Sequence, residues 1–107
     1  MPLTRDFRET VVEAAQRDPE YRCSLLTRGI GLILSGDPED SVVGKSLVRD
    51  YINATIGFKE LGLRLEKKPQ SLMRMFSAKG NPRLDSLVGV LAILQEYEGI
   101  HITVDAE

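Results

Sequence analysis

Apolar positions along the chain recur mostly at helical spacing, and a repeated punctuation of Gly, Asp and Pro cuts them into segments. Asp18-Pro19-Glu20 combines an N-cap Asp with Pro at the first helical position, a helix-start signal. Gly36-Asp37-Pro38-Glu39 repeats it, with Gly36 able to end one helix in a left-handed conformation while Asp37 caps the next. These signals predict helices near 5–17, 19–35 and 39–55. In the third, Val43, Leu47, Tyr51 and Ala54 mark one apolar face, with Val48 and Ile52 beside it. After Gly57, a short stripe of Phe58, Leu61 and Leu65 gives way to Glu66-Lys67-Lys68. Pro69 then opens a segment whose Leu72, Met73 and Phe76 share a face, with Met75 expected to be partly exposed. These are two short helices end to end.

The stretch from Ser77 to Pro82 is a loop by composition, and Leu84, Leu87, Val88, Leu91 and Leu94 then predict a further helix ending at Gly99. Ile100-His101-Ile102-Thr103-Val104 alternates apolar and polar positions with β-branched residues, which predicts a strand. A lone strand leaves backbone groups unpaired. Pairing with the same strand of a second copy, giving a two-fold homodimer, resolves this and is the preferred expectation. The other is an extended tail lying on the helices. The expected fold is therefore all-α, a compact helical bundle with one short C-terminal β-strand, in a single domain spanning 1–107.

Composition narrows the function classes. With 42% hydrophobic and 28% charged residues the chain has the balance of a globular protein, and no apolar run approaches the roughly 18–20 residues of a membrane span. Met1 to Arg8 carries no basic segment followed by an apolar core, so a cytoplasmic location is expected. One cysteine, Cys23, and one histidine, His101, assemble neither a disulfide nor a Cys/His metal set. No cofactor is expected: Gly29-Ile30-Gly31 follows no strand and lacks the last glycine of a dinucleotide fingerprint, although those glycines suit close helix packing. No nucleophile is placed with His101, so an enzyme is not expected. Acids at Asp18, Glu20, Glu39 and Asp40 sit at helix starts, where carboxylates complement the helix dipole.

Charge changes the picture once it is divided by position. Residues 1–56 carry seven bases and nine acids, residues 57–83 seven bases and two acids, and residues 84–107 five acids and no base. The middle block, at +5, is a candidate surface for a polyanion, because phosphate contacts supply most non-specific nucleic-acid affinity. A solvated face explains the same charges equally well. The block coincides with the two short helices, which have the dimensions of a helix-turn-helix. In such a unit Leu61, Gly62, Leu65, Leu72 and Phe76 are the positions to bury, with Gly62 allowing close approach. Lys68, Gln70, Ser71 and Arg74 then face outward, where a second helix would read the major groove.

The run GFKELGLRLEKKPQSLMRMFSAKGNPRLDSL resembles the lambda-repressor-like helix-turn-helix of the addiction-module antidote proteins, the repressor-like class of antitoxins. Upstream, YRCSLLTRGIGLILSGDPED is similar to that family's helix ending in a Gly-Asp turn, and GIHITV to its terminal strand, so the likeness spans roughly residues 19–104. It implies a DNA-binding domain that neutralises a small toxin, often a ribonuclease, and represses its own operon. Two positions depart from the family pattern. Glu66 stands in a turn where Gly is common, at a cost of about 1 kcal/mol if its φ is positive, and Pro69 stands where a small polar cap is usual. As an acid near the groove, Glu66 would also repel phosphate.

By this resemblance Gln70 and Arg74 are the base-readers, since Gln pairs bidentately with adenine and Arg with guanine. Ser71 and Lys68 flank them, and Lys59, Lys67, Lys79, Asn81 and Arg83 are phosphate contacts. Each lysine is equally explained as a solvated side chain, and Arg74 as a stem covering the helix surface. A basic toxin would meet the acids Glu96, Glu98, Asp105 and Glu107, or the N-terminal helix around Phe7, Val11 and Val12. The leading expectation is a dimeric antitoxin and autorepressor acting on double-stranded DNA. The alternatives are an interaction module of the same fold that binds a toxin without DNA, and a stand-alone phage-type repressor.

Overall fold

Among the described residues six helices in chain order build the fold: α1 (Leu3–Arg17), α2 (Pro19–Leu34), α3 (Pro38–Ala54), α4 (Gly57–Leu65), α5 (Pro69–Met75) and α6 (Leu84–Glu98). The computed structural model describes residues 3–107, with side chains from residue 7 onward. The leader expectation drawn from Met1 to Arg8 therefore lies partly outside the described residues. The caps form as their residues predict. Asp18 accepts from the backbone N–H groups of Glu20 (3.0 Å) and Tyr21 (3.3 Å), and Asp37 accepts from Glu39 N–H (2.9 Å). Gly36, at φ 84°, makes the turn between α2 and α3. No described helix is long and apolar enough to cross a membrane.

The two longest helices after α1 meet backbone to backbone. A Cβ on Gly29 would stand 2.9 Å from the carbonyl oxygen of Gly44, and one on Gly44 would stand 2.5 Å from the carbonyl oxygen of Gly29. Of the two glycines expected to permit close packing, only Gly29 does so, because Gly31 has nothing within 4 Å. Gly44 is the partner that helical periodicity alone did not mark. This approach turns the buried face of α3 toward Gly44, Val48, Tyr51 and Ile52 and leaves Val43, an expected core residue, 51% exposed. The main core joins Leu26 of α2, Val48, Tyr51 and Ile52 of α3, Phe58 and Leu61 of α4, Leu72 of α5, Phe76, and Val90 and Leu94 of α6. A smaller cluster of Ala15, Leu25 and Ala54 seats α1.

The α6 stripe also differs from expectation. Val90 and Leu94 are fully buried, whereas Leu84 and Val88 are 77% and 54% exposed. Helix α6 is apolar over more of its circumference than the core covers. Its far end is held by Glu98, whose Oε1 accepts from Tyr51 Oη (2.5 Å) and from Arg22 Nε (2.9 Å). One carboxylate thus links α6 to α3 and α2, and Arg22 also donates to the carbonyl of Ala15 at the end of α1 (3.4 Å). Burial pushes the Tyr51 hydroxyl well above its ordinary range, with the Glu98 hydrogen bond adding to it. Burial also pushes the Glu98 carboxyl upward, but the hydrogen bonds from Arg22 and Tyr51 outweigh it and leave the group below its ordinary value.

The expected terminal strand is absent among the described residues. Gly99 (φ 74°) reverses the chain, and Ile100 N–H bonds to the Gln95 carbonyl at 3.1 Å. The Gln95 side-chain oxygen then accepts from Ile102 N–H at 2.8 Å, capturing a donor that strand pairing would have used. Ile100 and Ile102 pack on the main core. The alternation that suggests a strand is thus spent on an extended tail docked on the chain's own helices. Beside it, Ile33, Leu34, Leu84, Val88 and Val104 help line an apolar groove of about 250 Å³.

Two outcomes follow for stability. Gly44→Ala gains helix propensity but overpacks a backbone contact, so a net loss of about 1–3 kcal/mol is expected, whereas Gly31→Ala is expected to gain up to about 1 kcal/mol. Urea denaturation of the two variants checks the contrast. Because Glu98 titrates lower when folded, its contribution is complete above its ordinary value of 4.5 and is lost as pH falls through the lower folded value. Asp50 opposes this trend: burial outweighs its Arg8 partner and raises its carboxyl, so it favours folding at low pH and that gain fades as pH rises. Stability measured by denaturation between about pH 2 and 6 should therefore fall less steeply on acidification in Glu98→Gln than in the parent.

Candidate nucleic-acid interface

Helices α4 and α5 are joined by Glu66, Lys67 and Lys68 and pack through Leu61, Leu72 and the tilted ring pair Phe58–Phe76, whose centroids are 6.5 Å apart. Gly62 lies where the turn crosses α4. A Cβ there would be 2.6 Å from the Lys67 carbonyl oxygen, and Lys67 N–H bonds to the Gly62 carbonyl at 2.9 Å. Glu66 ends α4 in the left-handed region at φ 54°, ψ 44°, the strained conformation its place in the turn requires. Lys68 is extended, and Pro69 begins α5 with its fixed φ already suited to the helix.

Leu72 of α5 and Phe76, its C-cap, turn inward while Gln70, Ser71 and Arg74 are exposed. Gln70 and Arg74 are four residues apart, one turn of helix, and so share the centre of the outward face. The expected roles of two methionines are reversed: Met73 is 47% exposed, and Met75 packs against the core. Three residues on from Leu72, position 75 lies nearer to it around the helix than position 73, one residue on, does.

The expected contacts gather at the two ends of α5. Ser71, Arg74, Lys79 and Asn81 line one shallow concavity together with Met75 and Gly80, with no acid among them. Lys59, Lys67 and Lys68 line another with Gly62, Leu63, Glu66 and Pro69, so here an acid sits among the cations. Gln70 lies in neither and stands on the α5 face between them. Arg83 is not brought to either; it is 3.7 Å from Asp85 at the start of α6. Arg64, also in the basic block, pairs with Glu60 at 3.2 Å. Glu98, expected to attract a basic partner, is instead buried against Arg22 and Tyr51, which removes it from the surface.

Lys45 belongs with this region although charge counting placed it in the acidic N-terminal part. It is 5% exposed and donates to the carbonyls of Gly80 (2.6 Å) and Ala78 (3.3 Å), in the loop that carries Lys79 and Asn81. The legible signal was a lysine three and seven residues before Val48 and Ile52, inside the apolar stripe of α3. Elsewhere the described residues hold no group of three metal-ligating side chains and no buried side-chain polar atom without a hydrogen bond. Comparison with protein-family models, curated proteins and solved structures finds no match to the chain.

Glu66→Gly is expected to stabilise the fold by roughly 0.5–1 kcal/mol, the relief of left-handed strain exceeding the added chain entropy of Gly. Thermal denaturation checks this. A loss of stability would mean that the Glu66 side chain contributes more than its backbone costs.

Proposed function

We propose that this chain is a sequence-specific DNA-binding transcriptional regulator, the antitoxin and autorepressor of a toxin–antitoxin pair, with α4 and α5 as a helix-turn-helix. The observation that carries the DNA-binding part is the exposed face of α5, flanked at one end by Arg74, Lys79 and Asn81 and at the other by Lys59, Lys67 and Lys68. Cations at both ends with neutral hydrogen-bonding groups between them suit a helix seated in the major groove, where phosphates on either side fix its register and base edges lie beneath it. Gln70 and Arg74 then read bases, Ser71 and Lys68 reach bases or phosphates, and the remaining lysines and Asn81 hold the backbone. Arg83 stands apart from this footprint. The antitoxin role rests on the resemblance in the Gly57 to Leu87 run.

A second reading, an interaction module that binds a toxin without DNA, is favoured by the groove between α2, α6 and the tail. Its exposed Leu34, Leu84, Val88 and Val104 form an apolar surface of the kind that marks protein contacts. The same surface is a candidate dimer contact in place of the strand.

Fluorescence anisotropy on the duplex upstream of the gene, against a scrambled duplex and over a range of salt, separates the readings. Arg74→Ala is expected to lose about 1–3 kcal/mol on the upstream duplex alone, and Lys59→Ala to weaken both duplexes alike and lower the salt slope by about one. Equal loss on both duplexes for Arg74→Ala removes it as a base-reader. Absence of DNA binding by the parent at low salt moves the conclusion to the interaction module.

A further inference from the structure

We infer that Lys45 is a positioning residue for the DNA interface, its buried ammonium fixing the loop after α5 so that Lys79 and Asn81 stand beside Arg74. The inference rests on the DNA-binding reading of that surface. Among the described residues Lys45 takes part in no ion pair, and its ammonium is instead spent on the carbonyls of Ala78 and Gly80. An ammonium withdrawn from water is costly unless it is well hydrogen-bonded, so its placement needs a reason in what it holds.

The loop supplies that reason. It folds back so tightly on the end of α5 that a Cβ on Gly80 would stand 2.1 Å from the Arg74 carbonyl oxygen and 2.6 Å from that of Met75. The Ser77 hydroxyl donates to the Arg74 carbonyl at 2.7 Å, and Gly80 N–H donates to the Ser77 carbonyl at 3.0 Å. Carbonyls of the last turn of α5 and of the loop are thus crowded into one place, at the end of the helix where the backbone dipole is already negative. A cation reaching in from α3 offsets that crowding, as a neutral side chain does not. Lys79 and Asn81 flank Gly80 in sequence, so the carbonyl that Lys45 holds at 2.6 Å lies between the two side chains being aimed.

The test is a double-mutant cycle on the full chain, read as anisotropy on the upstream and scrambled duplexes over a range of salt. Lys45→Met is expected to lower the salt slope by about one, the signature of a lost phosphate contact, while the preference for the upstream duplex, set by Gln70 and Arg74, is retained. Lys79→Ala is expected to weaken binding in the parent but to cost nothing further in the Lys45→Met background, whereas Lys59→Ala costs the same in both. Equal cost of Lys79→Ala in the two backgrounds overturns the inference. If Lys45→Met does not fold, the parent decides: a slowly exchanging Lys45 ammonium resonance and a protected Gly80 amide are expected by NMR, and fast exchange of both overturns it. Failure of the parent to bind DNA overturns the DNA-binding reading and this inference with it, while the NMR measurements still report whether the loop is clamped.

Discussion

The approach of α2 to α3 at Gly29 and Gly44 is the constraint on which the other contacts depend. With no side chain at either position, each backbone comes within reach of the other's carbonyl, and the remaining faces of α3 are set in rotation by that contact. Val48, Tyr51 and Ile52 are thereby presented to α4, α5 and α6, and Val43 is turned to solvent. Adding even one methyl group at such a crossing requires backbone to move, because packed interiors have no room to absorb it locally.

Around this pair, α3 attaches the other elements through three buried polar side chains. Asp50 receives Arg8 of α1 at 2.8 Å, Tyr51 donates to Glu98 of α6, and Lys45 donates to the loop beyond α5. Such contacts add little net stability over well-packed apolar ones, but breaking one partner leaves a desolvated charge or hydrogen-bonding group behind. They therefore select one arrangement of the peripheral helices over others with similar apolar burial. The opposed shifts of Glu98 and Asp50 show how context sets the balance. Glu98 has two hydrogen-bond donors and is held ionised, whereas for Asp50 burial outweighs the attraction of Arg8 and Arg49, only the first of which donates a hydrogen bond to it.

For the proposed DNA contact, the division of labour is between a short helix and what surrounds it. Helix α5 has seven residues, too few to be stable alone, and is kept helical by Leu72 and Phe76 in the core. Its outward residues are consequently supported from beneath by packing and from its C-terminal end by the loop that Lys45 holds. The apolar groove beside α6 is formed by different residues, so a protein contact there and a nucleic-acid contact at α5 need not share side chains.

The sequence by itself determined the helices, because their signals are local. Asp18-Pro19 and Asp37-Pro38 name caps that act within three residues, Gly62 and the Leu61, Leu72 and Phe76 positions name a close-packed helix pair, and Gly99 names a stop. The basic block at 57–83 was equally legible, and so was its coincidence with α4 and α5. Tertiary structure alone decided which charges remain available and which apolar residues are covered. Glu98 looks like a surface charge until Arg22 and Tyr51 are brought to it from 76 and 47 residues away. Lys45, although it sits in the apolar stripe of α3, has no visible partner until Ala78 and Gly80 reach it from 33 and 35 residues away. The alternation of Ile100 to Val104 fits a strand or a docked tail equally well, and in the tail Ile100 and Ile102 are partly covered while Val104 stays exposed. Gln95, by capturing the Ile102 amide, decides for the tail. These outcomes depend on which faces meet in space, and helical periodicity, which reports only that a face is apolar, does not specify its partner.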